Sequence, residues 1–213
     1  MVVFHKAQAA AAAPVSGVAE AGSAAGKVRM TAIGASTGGP QAYSALLSKL
    51  PADFPTPILC VQHISLGFLG GLVEWLNSQC SLKVQIAVPG TKAAPGHVYF
   101  PEEDTHLEIS SDGTLRSEKT DHFHGFRPSV TNLFQSVAKS FGSRAIGVLM
   151  TGMGDDGAEG LKSLKDAGGL TIAQDESTST VFGMPRAAIQ MDAAGHVLAL
   201  PDIAPALKRL FGI

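Results

Sequence analysis

The sequence predicts an α/β domain with a doubly wound, mostly parallel sheet, helices on both faces and an antiparallel hairpin at one edge. Two observations support this fold class. From residue 28 onward, short runs rich in β-branched residues alternate with amphipathic stretches, and glycine or proline marks the joins. Strands that alternate with helices in this way favour a parallel sheet that is covered on both faces.

The first two strand–helix pairs have clear signals. Residues 28–33 and 58–62 are apolar runs of strand length. A helix is predicted at 40–50, because Pro40 suits a first helical position, where its missing N–H would be unpaired anyway. A second helix is predicted at 69–79.

The middle of the chain predicts shorter strands and a hairpin. Residues 84–88 and 97–100 are strand candidates. Residues 107–109 and 114–116 flank Asp112-Gly113, which is a good signal for a tight hairpin turn. We expect this hairpin to be the antiparallel addition at one edge of the sheet.

The last third of the chain continues the alternation. A helix is predicted at 130–141, with Ser129 as its N-cap. The elements predicted after it are strands at 146–150, 170–173 and 196–200, helices at 157–167 and 185–191, and a last helix that Asp202 caps and that ends at Leu210.

The composition limits the classes of function. The 213 residues carry 16 Lys and Arg against 18 Asp and Glu, and 45% of the residues are hydrophobic. This balance excludes disorder as the overall state, and no basic stripe is present to neutralise the phosphates of a nucleic acid. No stretch approaches the roughly 20 apolar residues of a membrane span, so we expect no direct membrane insertion.

The N-terminal segment and the cysteines bear on the compartment. Residues 1–27 are rich in Ala and Gly, which predicts a flexible linker or tail ahead of a domain at 28–213. This segment lacks the basic region and strong apolar core of a signal peptide. Cys60 and Cys80 form no Cys-x-x-Cys pair, so a cysteine zinc site and a disulfide-rich secreted class do not fit. We expect a cytoplasmic protein.

Three chemically useful side chains follow three of the predicted strands. Ser36 follows the first strand, His63 follows the second, and Asp156 follows the strand at 146–150. In folds of this class, ligands bind outside the carboxyl ends of the strands, so these side chains should share one rim of the sheet. Serine, histidine and aspartate are the parts of a nucleophile–base–orienter relay.

Each of these residues also has a simpler interpretation. The glycine-rich segment 34–39 could cradle a phosphate, although it lacks the lysine of a P-loop and the spacing of the dinucleotide fingerprint. Ser36 matches the nucleophile-elbow pattern Gly-x-Ser-x-Gly, but the order Ser, His, Asp differs from that of the common α/β-hydrolases. His63 could be an ordinary strand-end histidine. Asp155 and Asp156 could cap the helix that follows them, and for Asp155 this is the favoured role.

One pair of histidines could suggest a metal site. His122 and His124 lie beside Asp121 on an apparent loop. Without a convincing third and fourth ligand, a solvated loop is the better interpretation. We therefore predict neither a metal nor an organic cofactor.

Several separate motifs resemble one family. Together the motifs run in a fixed order from about Val28 to the C-terminus, and they resemble the catalytic domain of CheB, the bacterial chemotaxis protein-glutamate methylesterase family. The motifs are Ile33-Gly-Ala-Ser-Thr-Gly-Gly-Pro40, Gln62-His63 followed by Gly67-Phe68, Pro95-Gly-His-Val-Tyr99, Arg127-Pro-Ser-Val130, Thr151-Gly-Met-Gly-Asp-Asp-Gly157 and Val181-Phe-Gly-Met-Pro185.

The resemblance implies a reaction and roles for residues. It implies hydrolysis of glutamate γ-methyl esters on the cytoplasmic helices of methyl-accepting chemotaxis receptors, with release of methanol, and some relatives also deamidate receptor glutamines. By motif, Ser36 is the nucleophile, His63 the base and Asp156 its orienter, while Thr37 and Met153 belong to the segments that support the oxyanion. No cofactor is implied.

Two features depart from the family pattern. The family usually carries an N-terminal receiver domain, and the residues ahead of the first strand are too few for one. The chain would be a stand-alone esterase or a fragment, and a separate receiver domain could be a partner. The acidic segment Glu102-Glu103-Asp104 could repel a glutamate-rich receptor helix. A catalytically silent binding module and an esterase for an unrelated small ester also stay open.

Overall fold

The central sheet has seven strands, and all of them are parallel. The computed structural model describes residues 28–123 and 125–213, so the predicted linker or tail at 1–27 lies outside the described residues. The strands are β1 (Met30–Ala35), β2 (Ile58–Gln62), β3 (Lys83–Ile86), β4 (His97–Phe100), β5 (His106–Ile109), β6 (Leu115–Glu118), β7 (Ala145–Leu149), β8 (Leu170–Gln174) and β9 (His196–Leu198). The sheet order is β3-β4-β2-β1-β7-β8-β9.

Helices cover both faces of this sheet, which confirms the predicted fold class. The helices are α1 (Gly39–Leu47), α2 (Leu69–Gln79), α3 (Val130–Phe141), α4 (Ala158–Asp166), α5 (Met184–Gln190) and α6 (Leu200–Phe211). Two clusters of buried apolar side chains fill the layers on the two faces. None of the helices within the described residues combines the length and the hydropathy that crossing a bilayer requires.

Strand β1 is the point at which the winding of the sheet reverses. The chain places β2 on one side of β1 and β7 on the other. At such a switch point the loops after neighbouring strands diverge and leave a crevice at the carboxyl ends. The loops that carry Ser36, His63 and Asp156 follow these three strands.

The hairpin is real, but it is not part of the main sheet. Strands β5 and β6 pair antiparallel around the Asp112-Gly113 turn, as predicted, and they form a separate two-stranded sheet. The reason is a set of hydrogen bonds to α3. The Ile109 N–H donates to Ser136 Oγ over 2.9 Å, and Ser140 Oγ donates to the Ile109 carbonyl over 2.7 Å. The hairpin is therefore hydrogen-bonded to α3 and does not pair with an edge strand of the seven-stranded sheet.

Two other expectations differ from the structure in detail. The last helix begins at Leu200 with Ala199 as its N-cap, so the predicted cap at Asp202 is wrong, and Asp202 lies in the first helical turn. The sequence predicts that the first strand ends at residue 33, whereas β1 extends through Gly34 and Ala35. A Cβ at Gly34 would lie 2.1 Å from a methyl group of Val130, so the missing side chain lets α3 approach the strand.

The contact between α3 and α4 depends on Gly160. A Cβ at this position would lie 2.6 Å from the carbonyl oxygen of Thr131 and 2.8 Å from its Cα. We predict that Gly160→Ala lowers the free energy of unfolding by about 1–3 kcal/mol, because backbone atoms cannot give way. The matched control is Gly70→Ala in α2, where nothing lies within 4 Å.

Helix propensity favours alanine over glycine, so the control variant should be stabilised by about 0.5–1 kcal/mol. Urea unfolding of the two variants measures both effects. Equal effects of the two substitutions would contradict the close helix contact.

Candidate functional site

Ser36 and His63 are neighbours because they follow adjacent strands in register. Ala35 of β1 pairs with Gln62 of β2, and the next residue on each strand is the candidate serine or histidine. Adjacent strands lie about 4.8 Å apart. The His63 N–H donates to the Ala35 carbonyl over 3.1 Å, so the register continues past the end of β2.

Gln62 binds the backbones of both residues, a role that its place in the Gln62-His63 motif did not reveal. Its side-chain amide Nε2 donates to the carbonyl of Ser36 and to the carbonyl of His63, each over 2.8 Å. The side chain is buried, since only 3% of the residue is exposed. A polar residue at the end of an otherwise apolar strand was the signal that could have identified it.

Asp156 lies at the N-terminus of α3, although it precedes α4 in the chain. One carboxylate oxygen accepts the N–H of Val130 over 2.7 Å, and the other accepts the N–H of Thr131 over 3.0 Å and the hydroxyl of Ser129 over 2.8 Å. The free N–H groups and the dipole of a helix N-terminus favour a carboxylate. Ser129 is also the N-cap of α3, as predicted, since its hydroxyl accepts the Asn132 N–H.

The same carboxylate binds the imidazole of His63. The distance from His63 Nε2 to the carboxylate oxygen Oδ2 of Asp156 is 2.8 Å. An ionised carboxylate can only accept, so Nε2 carries the proton and Nδ1 keeps a free lone pair. Nδ1 is buried and has no hydrogen-bond partner among the described residues. Nδ1 is therefore the ring nitrogen available to receive a proton from a serine hydroxyl.

The surroundings of Asp156 keep its carboxyl group ionised. Burial alone would raise the pKa of Asp156. The hydrogen bond from His63 and those from the N–H groups of Thr131 and Val130 outweigh burial and hold the pKa below its usual value. The imidazole thus faces a negative charge that can stabilise an imidazolium.

Phe126 stacks on the imidazole, and no sequence signal pointed to it. The ring centroids of His63 and Phe126 lie 4.4 Å apart, with an angle of 7° between the ring planes. The His63 side chain is 13% exposed. One face of the catalytic candidate is therefore covered by an aromatic ring.

The residues expected to support an oxyanion lie on both sides of Ser36. The Ser36 N–H donates to the Thr151 carbonyl over 3.0 Å, and the Thr151 hydroxyl donates to the Thr37 carbonyl over 2.9 Å. A Cβ at Gly152 would lie 2.8 Å from Cβ of Ser36, so the segment that leads to Met153 passes directly beside the serine. Within the described part of the chain, the N–H groups of Thr37 and Met153 have no hydrogen-bond acceptor.

Asp155 does not cap α4. The N-cap of that helix is Gly157, which has φ of 96° and makes no side-chain capping bond. The Asp155 side chain is exposed, and its carbonyl accepts the Ala158 N–H over 3.0 Å. The predicted helix cap at Asp155 is therefore wrong. Its neighbour Asp156 accepts N–H groups at the N-terminus of a different helix, α3, whose N-cap is Ser129.

Residues 28–123 and 125–213 hold no candidate metal cluster. Within these ranges no group of three or more His, Cys, Asp or Glu side chains could hold a metal ion. His122 and Asp121 are exposed. His124 lies outside the described residues.

The acidic segment is held by internal contacts. Glu103 Oε1 accepts the N–H of Gly67 over 2.7 Å and that of Leu69 over 3.4 Å, at the start of α2. Asp104 pairs with Arg127 over 2.6 Å and with Lys119 over 2.9 Å. Hydrogen bonds from Lys119 and then Arg127 hold the pKa of Asp104 below its usual value.

Comparison with known proteins shows which family the chain is similar to. The family model described as CheB methylesterase matches residues 31–207. The crystal structure of the Thermotoga maritima CheB methylesterase catalytic domain superimposes with a TM-score of 0.83 at 36% identity, over 86% of this chain and 98% of that one.

Curated relatives are also named as methylesterases. A protein-glutamate methylesterase/protein-glutamine glutaminase of Myxococcus xanthus is 46% identical over 182 residues, which are 85% of this chain and 52% of the relative. One of Syntrophus aciditrophicus is 44% identical over 201 residues, 94% of this chain and 57% of the relative. The chain therefore spans about half the length of these relatives.

We predict that Asp156→Ala destabilises the protein at neutral pH by about 2–4 kcal/mol, because buried N–H groups of α3 lose their acceptor. The pKa of Asp156 is lowered on folding. The carboxylate therefore stabilises the native state above pH of about 4, and this contribution is lost as the pH falls through the lower folded-state pKa.

Urea unfolding at pH 7 and at pH 3 measures this difference between wild type and variant. The difference in free energy of unfolding between wild type and Asp156→Ala should be smaller at pH 3 than at pH 7. Asp155→Ala is the matched control, since that aspartate is exposed, and its effect should stay within about 0.5 kcal/mol. If the difference in free energy of unfolding between wild type and Asp156→Ala does not change with pH, Asp156 does not stabilise the fold as an ionised, hydrogen-bonded carboxylate.

Proposed function

Since the chain belongs to the CheB methylesterase family, we propose that it hydrolyses glutamate γ-methyl esters on methyl-accepting chemotaxis receptors and releases methanol. The observation that carries the proposal is the 2.8 Å contact between His63 and Asp156 at the rim where Ser36 follows the neighbouring strand. This contact supplies an oriented base beside a serine hydroxyl.

The acylation step uses the free ring nitrogen. The Ser36 hydroxyl attacks the ester carbonyl while Nδ1 of His63 takes its proton. Asp156 stabilises the imidazolium that forms. The imidazolium then protonates the leaving methoxide, methanol departs, and the glutamyl group stays on Ser36 as an ester.

The deacylation step repeats the proton transfers with water. His63 takes a proton from a water molecule as that water attacks the acyl-serine. The tetrahedral intermediate collapses, His63 returns the proton to the Ser36 oxygen, and the product glutamic acid loses the second proton of the water to solvent and leaves as a carboxylate. Water supplies the oxygen atom of the product, so atoms balance without a cofactor.

Two backbone N–H groups support the oxyanion in this proposal. Those of Thr37 and Met153 have no acceptor among the described residues and flank the serine. Loss of one such donor typically raises the barrier by about 3–4 kcal/mol.

The surroundings of the site favour a large substrate. Leu66 and Phe68, in the loop after His63, are 69% and 66% exposed, and Met153 is 73% exposed. Exposed apolar residues at a rim are typical of surfaces that bind another protein. They are consistent with a receptor helix as partner, at a cytoplasmic location. We also propose a separate receiver domain as a partner.

The names of relatives support a second activity. Several are called protein-glutamine glutaminase as well as methylesterase. Amide hydrolysis would use the same acyl-serine at Ser36, with ammonia as the leaving group in place of methanol. We propose deamidation of receptor glutamines as this second activity.

We predict that Ser36→Ala lowers methanol release from methylated receptor membranes at least about a thousandfold, because no nucleophile remains to form the acyl-enzyme. Volatile methanol from radiolabelled methyl groups is the readout. Ser111→Ala, at an exposed serine, is the matched control and should retain wild-type release.

Circular dichroism should show that both variants keep the fold. Release by Ser36→Ala at the wild-type rate would overturn the proposal. A wild type that binds receptors without releasing methanol would indicate a silent binding module, and turnover of small esters alone would indicate a different substrate.

A further inference from the structure

Two segments contribute to the surroundings of His63. One is the acidic segment 102–104, in which Glu103 accepts N–H groups from the loop that follows His63. The other is the turn that carries Phe123 and Phe126, whose backbones exchange two hydrogen bonds of 3.0 Å. This turn places the ring of Phe126 against the imidazole, with 4.4 Å between centroids and nearly parallel planes.

The acidic segment fixes the residue that follows Phe126. Arg127 Nε and Nη2 both contact Oδ1 of Asp104, over 2.7 and 2.6 Å, and Nη1 donates to the Thr120 carbonyl over 2.7 Å. The Arg127 side chain is only 14% exposed, so the ion pair is partly shielded from water. A guanidinium held at three nitrogens leaves the adjacent backbone little freedom to move.

The same segment also holds the loop that leads away from His63. Glu103 accepts the N–H groups of Gly67 and Leu69. Segment 102–104 therefore binds both the loop that follows His63 and the residue next to Phe126. This explains why the segment is acidic without any need for it to face the substrate.

The contact matters most when the imidazole is charged. A positive charge against the face of an aromatic ring is attracted by the electron density of the ring. In the proposed mechanism, His63 is positively charged only after it has taken the Ser36 proton. A flat ring on one face also prevents the imidazole from rotating away from Asp156.

We propose that Phe126 is a positioning residue that holds the His63 imidazole and stabilises its charged form, and that the Asp104–Arg127 ion pair keeps Phe126 in place. The inference rests on the proposed function, because it takes His63 to be the base. It adds three residues whose roles are indirect, since their side chains act through the imidazole.

The test compares kcat and KM for methanol release in four variants. Phe126→Leu should lower kcat about three- to thirtyfold, with KM within twofold of wild type, because the ring face is lost while an apolar side chain remains. Phe126→Tyr keeps the ring face and should restore kcat to within about threefold of wild type. Arg127→Met should lower kcat severalfold.

The double variant tests whether the two residues act together. If Arg127 acts through Phe126, the Phe126→Leu/Arg127→Met protein should be no slower than Phe126→Leu alone, within about twofold. The matched control is Lys92→Met, which breaks an exposed ion pair with Asp112 and should leave kcat unchanged.

Each other outcome contradicts the inference. A rise in KM at unchanged kcat would make these residues receptor contacts, and multiplicative effects in the double variant would make them independent. Thermal unfolding identifies a variant that fails to fold, and Arg127→Met then carries the test, since it leaves the ring in the chain. Ser36→Ala separates the two proposals: if it stays active the proposed function fails, whereas an inactive Ser36→Ala with a fully active Phe126→Leu refutes this inference alone.

Discussion

The carboxylate of Asp156 is the group on which the arrangement of the site depends. A buried charge is costly unless hydrogen bonds compensate for it. Here the compensation comes from the N-terminus of α3 and from His63. The N-terminus of α3 and the imidazole of His63 therefore share one carboxylate. Any change that moves the helix also moves the hydrogen-bond partner of the candidate base.

The topology of the sheet explains how distant segments meet. His63 and Asp156 are separated by 93 positions in the chain. Their strands β2 and β7 both lie next to β1, so the loops after them emerge beside the loop that carries Ser36. A parallel sheet places all of these loops at the same rim. Sheet order, and not local sequence, brings the three loops to one rim and places His63 against Asp156.

Local patterns in the sequence predicted helices and strands well where an apolar run or a single capping residue determines the element. The strand at 58–62 and the helix at 130–141, with its cap at Ser129, agree with the structure. The rim rule predicted that Ser36, His63 and Asp156 share one rim of the sheet, and the structure adds that they follow neighbouring strands.

The remaining features depend on tertiary contacts that no local pattern reports. The hairpin was placed at a sheet edge because nothing in its sequence reveals the hydrogen bonds that Ser136 and Ser140 make with it. Asp156 caps α3 from a distant loop, which spacing alone does not show. Phe126 belongs to a turn without periodicity, so only the structure reveals its contact with His63.

The most direct measurement of the central claim is the ¹⁵N NMR spectrum of the His63 ring at a pH where the ring is neutral. The ring signals are assigned by their loss in His63→Gln. Nε2 should be protonated, with its proton in a strong hydrogen bond to Asp156, and Nδ1 should be unprotonated. A ring that carries its proton on Nδ1, or whose spectrum is unchanged in Asp156→Ala, would contradict the account.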